Sequence, residues 1–545
     1  MAPPDDTPQS SPIAASPTEA VTAADRATRG RRPVPPIYPA LLAAYAPLSL
    51  AGANVGRGVA LDDLGGPLAL SAVFLALGLV SGRVATTDRH RRAIIAATII
   101  AALAFAGLLV PAIQRAADVA LEVAMRWAAG LAVGSVTAGV LFAVRTRRTL
   151  AGVTRFMNVL TAILLGFVAL GAMRAVIGRP ADDAVPGAAR PVAPAPARAA
   201  SLPDVYYIVL DSYSSGRELA AQYGHDNRDF EAALRQRGFA VPAQARANYV
   251  MTFLALAASL NWTYMHDLAW RPGRESLDRS VPHSMIESSR AATSLQALGY
   301  RVVFLPTSYG ATARNRNADT VIARQGASEF QAVWFGGTVL PALGQVLCGD
   351  AGFCTTGQLP FAPEGADAFR WKLARLASLP RVPGPKLVIA HLMIPHEPFV
   401  FRADCTTREP YWPRSAAEDA RWRAAYAEQV ACLNRLLLPL VDTLIATSRV
   451  PPIVILQGDH GHGRFPLGRA PELARVSRDQ VVDRAHVFAA YHLPGVPPAA
   501  VPESVSPVNV WPLLLTHVFS RPTPLLPDET YWSSWERPYA FTRVP

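Results

Sequence analysis

Lysine is almost missing from this chain: Lys372 and Lys386 are the only two among 52 basic side chains, so arginine carries nearly all of the +11 net charge. No stripe of basic residues interleaved with aromatics runs through the C-terminal half, which excludes nucleic acid as the partner of that charge. The start has no basic stretch followed by a short apolar core, so a cleavable signal peptide is excluded as well. No repeat at solenoid or propeller spacing is present. Cysteine is scarce, with four residues and none before Cys348. Apolar residues are abundant, at 51%, but they concentrate before residue 178. A chain of 545 residues exceeds one ordinary domain, so at least two structural units are expected.

Residues 1–35 are rich in Pro, Ala, Ser and Thr, end in Arg29, Arg31 and Arg32, and read as a disordered tail. Within 36–178, five apolar segments follow at roughly 38–56, 64–82, 92–113, 120–144 and 154–177, near the ~20 residues a membrane crossing needs. Arg83, Arg89, Arg91 and Arg92 separate the second from the third; Arg145, Arg147, Arg148 and Arg155 separate the fourth from the fifth. The alternate connections, 57–63 and 114–119, carry one arginine each together with Asp62, Asp63 and Asp118. The positive-inside rule therefore places the N-terminus in the cytoplasm and everything after the fifth span outside. A helical bundle buried in a soluble protein would not require this alternation of charge.

Residues 179–203 are Pro/Ala-rich without periodicity and read as a semi-rigid linker lifting the next domain off the membrane. The remainder, 204–545, has the length of one large α/β unit. All four cysteines lie there. On the oxidising side of a membrane they read as disulfides, and Cys348–Cys354 with Cys405–Cys432 keeps each bridge local. Val205–Leu210, Arg301–Leu305, Leu387–Ala390 and Ile453–Leu456 are short apolar runs expected as strands. Asn227–Gly238, Thr252–Leu260 and Ser415–Thr447 have helical periodicity. The alternation predicts a mostly parallel sheet covered on both faces, with chemistry at the carboxyl ends of its strands.

Four segments meet that condition. The first strand ends in Asp211, although an Asp in this place is also a common helix cap. The run Ile453-Val-Ile-Leu-Gln-Gly-Asp459-His460-Gly-His462-Gly offers a carboxylate and an imidazole beside glycines, a half-site for a divalent metal. Thr252 opens an apolar helix, as a cap or as a hydroxyl to be activated by a metal and the helix N-terminus. His391 and His396, in His-Leu-Met-Ile-Pro-His-Glu-Pro, follow a strand on a proline-stiffened loop and are suited to an anionic ester or a leaving group. His462, two residues past His460, is placed to reach a second metal.

In this order, Asp211, Thr252, His396 and Asp459-His460 resemble the alkaline phosphatase superfamily, in its sulfatase-like branch. Five spans before such a domain look like lipoteichoic-acid synthases and lipid A phosphoethanolamine transferases. The tail, Ser506-Pro-Val-Asn509 through Leu525-Leu-Pro-Asp528 and Trp535-Glu-Arg-Pro538, looks like membrane-bound bacterial members of the branch. The resemblance implies a five-helix transmembrane bundle followed by an alkaline-phosphatase-like α/β domain outside a bacterial cytoplasmic (inner) membrane. It further implies Asp211, Thr252, Asp459 and His460 around a divalent ion (Mn or Zn, otherwise Mg or Ca), with Thr252 as nucleophile. His391, His396 and Arg484 would meet the substrate, a phospholipid or lipid-linked phosphate ester whose head group passes to a glycan acceptor or to water. Two departures matter. The stretch Thr252-Phe-Leu-Ala-Leu256 lacks the Cys/Ser-x-Pro-x-Arg context of type I sulfatases, which disfavours sulfate esters. Asp211 stands where the transferases commonly carry Glu. The alternatives are a sulfatase-type ester hydrolase and a non-catalytic envelope-binding member of the fold.

Overall fold

The arginine-bounded apolar stretches form helices: α1 (Tyr38–Ala53), α2 (Gly65–Ala85), α3 (Arg89–Phe105), α4 (Leu121–Arg145) and α5 (Ala151–Ile177). The computed structural model describes residues 34–55, 59, 61–117, 119, 121–177, 202–266, 273–324, 326–348, 365–413 and 416–544. All but the last two residues of the expected linker, and all but the last two of the expected tail, lie outside them. Leu61–Ala85, Arg89–Gln114, Leu121–Arg145 and Ala151–Arg174 are long and apolar enough to cross a membrane. The first helix, with Pro47 inside it, is shorter at 16 residues. The third stretch is not one continuous α-helix. It leaves α geometry after Phe105, tightens to a 3-10 turn over Ala106–Leu109 and resumes at Val110–Ala117. Pro111 sits in the first turn of the resumed piece, where its missing N–H costs nothing.

Six strands form the main sheet of the second half: β1 (Val205–Leu210), β2 (Arg301–Leu305), β3 (Thr320–Val321), β4 (Lys386–Leu392), β5 (Ile453–Gly458) and β6 (Ala489–His492). Their order is β3-β2-β4-β1-β5-β6, parallel throughout except that β6 runs against β5. This is the mostly parallel sheet the sequence predicts. β1 is buried along its whole length because both faces are covered. Val205, Tyr207 and Val209 enter one core layer with helix α6 (Thr252–Asn261), and Tyr206, Ile208 and Leu210 enter the other. Asp419–Thr447 is also long and apolar enough for a membrane span, yet it packs into that second layer through Trp422, Tyr426 and Leu433. Gln429 on this helix accepts the Val400 N–H at 2.7 Å, which marks a core helix.

A second departure from expectation concerns the relation of the two halves. Helices α7 (Glu329–Gly336) and α8 (Leu340–Cys348) leave the sheet and pack on the N-terminal helices. Trp334 and Phe335 are buried with Ala46, Phe74 and Ala104, and Arg314 pairs with Asp63 at 3.2 Å. The outer domain is therefore docked on the bundle instead of being lifted away from it. Cys405 and Cys432 form the disulfide expected of them, with Cα atoms 4.9 Å apart. Cys348 ends α8, but its side chain and Cys354 lie outside the described residues, and so does their expected pairing.

Candidate metal centre

Sheet register brings the acidic residues together. β1 pairs with β5 at Leu210↔Gly458 and with β4 at Val209↔His391. One step past the first pair, on strands about 4.8 Å apart, come Asp211 and Asp459. His391 is the penultimate residue of β4, inside the strand and not after it, and its side chain rises beside the same two carboxylates. Asp211, His391 and Asp459 are all buried, each with a ligand atom within 4.8 Å of the others. His391 Nε2 is 3.2 Å from Asp211 Oδ2. Its Nδ1 shares a 2.9 Å hydrogen bond with Thr312 Oγ1.

The second imidazole closes the other side. His460 Nε2 lies 3.3 Å from Asp459 Oδ2 and 4.0 Å from Asp211 Oδ1. Burial, and then the charge of Arg484, push the His460 imidazole well below its usual range, so the ring is neutral. Its Nδ1–H donates to the Gly461 carbonyl at 3.0 Å, which leaves the Nε2 lone pair facing the carboxylates. Thr252 Oγ1 is 3.0 Å from that nitrogen. Thr252 is the first residue of α6, and the cap position belongs to Met251, whose side chain makes no capping bond. The hydroxyl is thus not used as a cap; it points into the centre.

These residues fit a divalent cation. Asp459 Oδ2 and His391 Nε2 are buried without a hydrogen-bond partner among the described residues. Burial raises the Asp459 carboxyl to about 6, with the neighbouring Asp211 charge adding to the rise. Burial would raise Asp211 too, but the imidazoles of His396, His391 and His460 outweigh it and hold that carboxyl below its usual range. Two buried carboxylates side by side call for a positive charge, and oxygen with imidazole nitrogen suits Zn or Mn.

Three expected residues sit differently from one another. His391, read as substrate-binding, is buried among the carboxylates as a third ligand candidate. His396 keeps a partly open side chain, and its Nδ1 bonds the Glu397 carbonyl at 2.6 Å. Burial lowers the His396 pKa, but the Glu397 and Asp211 carboxylates reverse this and raise it above the usual value. Arg484, also read as substrate-binding, is buried at the end of α9 (Arg478–Ala485), with most of its donors spent on backbone. Nε donates to Val250 O at 2.9 Å, Nη1 to His462 O at 2.8 Å and Nη2 to Gly468 O at 3.2 Å. It braces the segment before Thr252 against the segment after His460, and only Nη2 reaches His460 Nε2, at 3.2 Å. His462 turns away: its Nε2 is 3.4 Å from Glu397 Oε2 and its ring packs on Tyr426, apart from the Asp211 cluster.

Ser212 and Thr312 carry no sequence signal. Ser212 adopts a left-handed φ of 64°, and its amide donates to Asp459 Oδ1 at 3.1 Å while its hydroxyl donates to Asp211 Oδ1 at 3.0 Å. One strained residue thereby fixes both carboxylates. The glycines after Asp459 serve close approach: a Cβ on Gly461 would lie 1.8 Å from the Asp483 carbonyl oxygen. Gly461→Ala is expected to lower the thermal midpoint by the equivalent of about 1–3 kcal/mol or more and to reduce bound metal. Unchanged melting and metal content would show that this backbone yields.

No family model matches the chain, and no curated protein does. Among solved structures, it is similar to the C-terminal periplasmic domain of EptC from Escherichia coli, at 15% identity over 65% of this chain and 96% of that one, with a TM-score of 0.40. It is also similar to the phosphonate monoester hydrolase of Agrobacterium radiobacter, at 15% identity over 61% and 80% of the two chains, with a TM-score of 0.39. The integral membrane lipooligosaccharide phosphoethanolamine transferase A from Neisseria meningitidis covers 84% of this chain and 88% of its own, at 14% identity and a TM-score of 0.33. The solved structures that this chain is similar to thus include phosphoethanolamine transferases, one of them an integral membrane protein, and a phosphonate monoester hydrolase.

Proposed function

We propose that the chain is a membrane-anchored, metal-dependent phosphotransferase or phosphoester hydrolase that works outside the cytoplasmic membrane on lipid head groups or envelope glycans. The observation that carries this reading is the Thr252 hydroxyl, released from capping and held 3.0 Å from His460 Nε2 beside two buried carboxylates. Asp211, Asp459 and His460, with Thr252, would hold a Mn or Zn ion, and His391 stands ready to join them. Such an ion supplies positive charge that favours a deprotonated hydroxyl and a crowded phosphoryl group. Thr252 Oγ1 attacks phosphorus at the N-terminus of α6, whose dipole favours the anionic group there. Thr252 Oγ1 loses its proton to solvent, and the Oγ1–P bond forms as the bond to the leaving alcohol breaks. His396, whose pKa the Glu397 and Asp211 carboxylates raise, would give that alcohol its proton. A glycan hydroxyl or water then attacks phosphorus and gives its proton to His396 as the Oγ1–P bond breaks. The arginine-rich loops, read as cytoplasmic, and the apolar helices support a lipid donor within reach of this site.

The test is head-group turnover by the full chain in vesicles supplied with phospholipid labelled in its head group and with Mn or Zn. Label is expected to leave the lipid and to appear on added glycan acceptor or in water, alongside stoichiometric bound metal. Protein that carries no stoichiometric metal and turns over no head group would sink the reading.

A further inference from the structure

Nothing between Glu329 and Asp350 carries a charge, an uncharged stretch long enough to enter a bilayer but interrupted by Gly336-Gly337 and Pro341. α7 begins at the outer end of the bundle. Ser328 closes a capping box with Gln331, and Gln331 Nε2 donates to the Asp63 carbonyl at 3.2 Å, beside the start of α2. From there α7 runs eight residues, about 12 Å at helical rise. Its last turn buries Trp334 and Phe335 against Ala46 and Phe74, which lie near the middles of α1 and α2. Val339, at the turn into α8, packs with Ala102, Ala106 and Ala132, the last near the middle of α4.

The turn fills the break in the third span. α3 stops at Phe105, and the Leu103 carbonyl accepts the Val339 N–H at 2.9 Å. In lipid such a carbonyl costs several kcal/mol if left unpaired, and irregular backbone survives there only where protein covers it. Gly107 permits the approach: a Cβ there would sit 2.3 Å from Thr338 O and 2.4 Å from Gly336 O. On the opposite side of the hairpin, Val333 is 57% and Val346 50% exposed, and Leu108 and Leu109 of the adjoining bundle are 62% and 44% exposed. The candidate spans expose comparable apolar side chains, Leu77 at 52%, Leu131 at 55% and Phe167 at 67%.

We propose that Glu329–Cys348 of the outer domain is a membrane-inserted helical hairpin whose exposed face lies against the acyl chains of the outer leaflet. It joins the metal centre through a short path. Glu329 N donates to Ser308 O at 2.9 Å, Thr307 and Thr312 share a 2.6 Å hydroxyl bond, and Thr312 bonds His391. The hairpin thus sets the height of the centre above the bilayer. The insertion stands apart from any chemistry at that centre, and its test does not read activity.

The test uses the unaltered full chain in nanodiscs made with a phospholipid bearing a diazirine near the middle of one acyl chain, with adducts mapped by mass spectrometry. Adducts are expected at peptides holding Val333 and Val346 in yields within about threefold of those at Phe167, an exposed residue of α5. They are expected to be at least tenfold fewer at Val321, which is 54% exposed on the edge of the sheet. Hairpin labelling no higher than at Val321 would overturn the insertion, whether or not the protein turns over lipid.

Discussion

Thr252→Ala is expected to reduce turnover by a factor on the order of 10⁴–10⁶ while leaving the fold intact, because it removes the hydroxyl proposed to attack phosphorus. The stability change should stay within about 1 kcal/mol. The hydroxyl caps nothing, the side chain is half-buried, and Ala is the better helix former at that position. Thr252→Ser keeps the oxygen and should recover a measurable fraction of turnover. Head-group release from labelled phospholipid, with circular dichroism melting on the same samples, separates the two effects. Full activity in Thr252→Ala would show that another group attacks.

The second large effect has opposite signs with and without metal. In wild type, two buried carboxylates face each other, and Asp459 bears the cost: its carboxyl is raised to about 6 by burial and by Asp211. Above that pH the folded protein holds a charge that the unfolded chain carries freely, so ionised Asp459 destabilises the metal-free fold. Asp459→Asn removes the charge and keeps an oxygen for the Ser212 amide. Near pH 7–8 in chelator, this variant should be more stable than wild type by an amount on the order of 1–3 kcal/mol. The advantage should shrink as pH falls through 6 and vanish below about 4, where both states of wild type hold the proton. With Mn or Zn at a thousand times its dissociation constant, wild type gains about 4.1 kcal/mol and overtakes the variant. Thermal midpoints across pH, with and without chelator, check the crossing, and bound metal is counted directly. Asp459→Asn that retains stoichiometric ion would remove Asp459 from the ligand set.

How much of this centre was legible in the sequence depends on how local each residue's role is. Asp211, Asp459 and His460 could be placed because each follows a continuous apolar run, and a parallel sheet aligns such run ends. Thr252 was legible as a helix start, but whether its hydroxyl caps or points inward depends on Met251 holding the cap position. His391 looks like the first residue of a loop because its ring is polar, whereas β4 extends to Leu392 and the imidazole is buried inside the strand. Arg484 could not be placed, since its carbonyl partners lie 16 to 234 positions away along the chain. Ser212 gave no signal at all, because a positive φ leaves no trace in a serine. The α7–α8 hairpin is silent for another reason: a short apolar run split by two glycines and a proline looks like any core helix until its neighbours are known.

The hydrogen bond between Val339 and Leu103 also orders the birth of the molecule. The ribosome completes Leu103 well before Val339, a gap of roughly 240 residues, or some 10–50 s at ordinary synthesis rates. During that interval the bundle exists without the segment that closes its third helix. The N-terminal half is then an unfinished socket, completed by a segment of the chain made later. A chain truncated before residue 329 should for this reason yield a bundle prone to degradation, even though every one of its spans has been made.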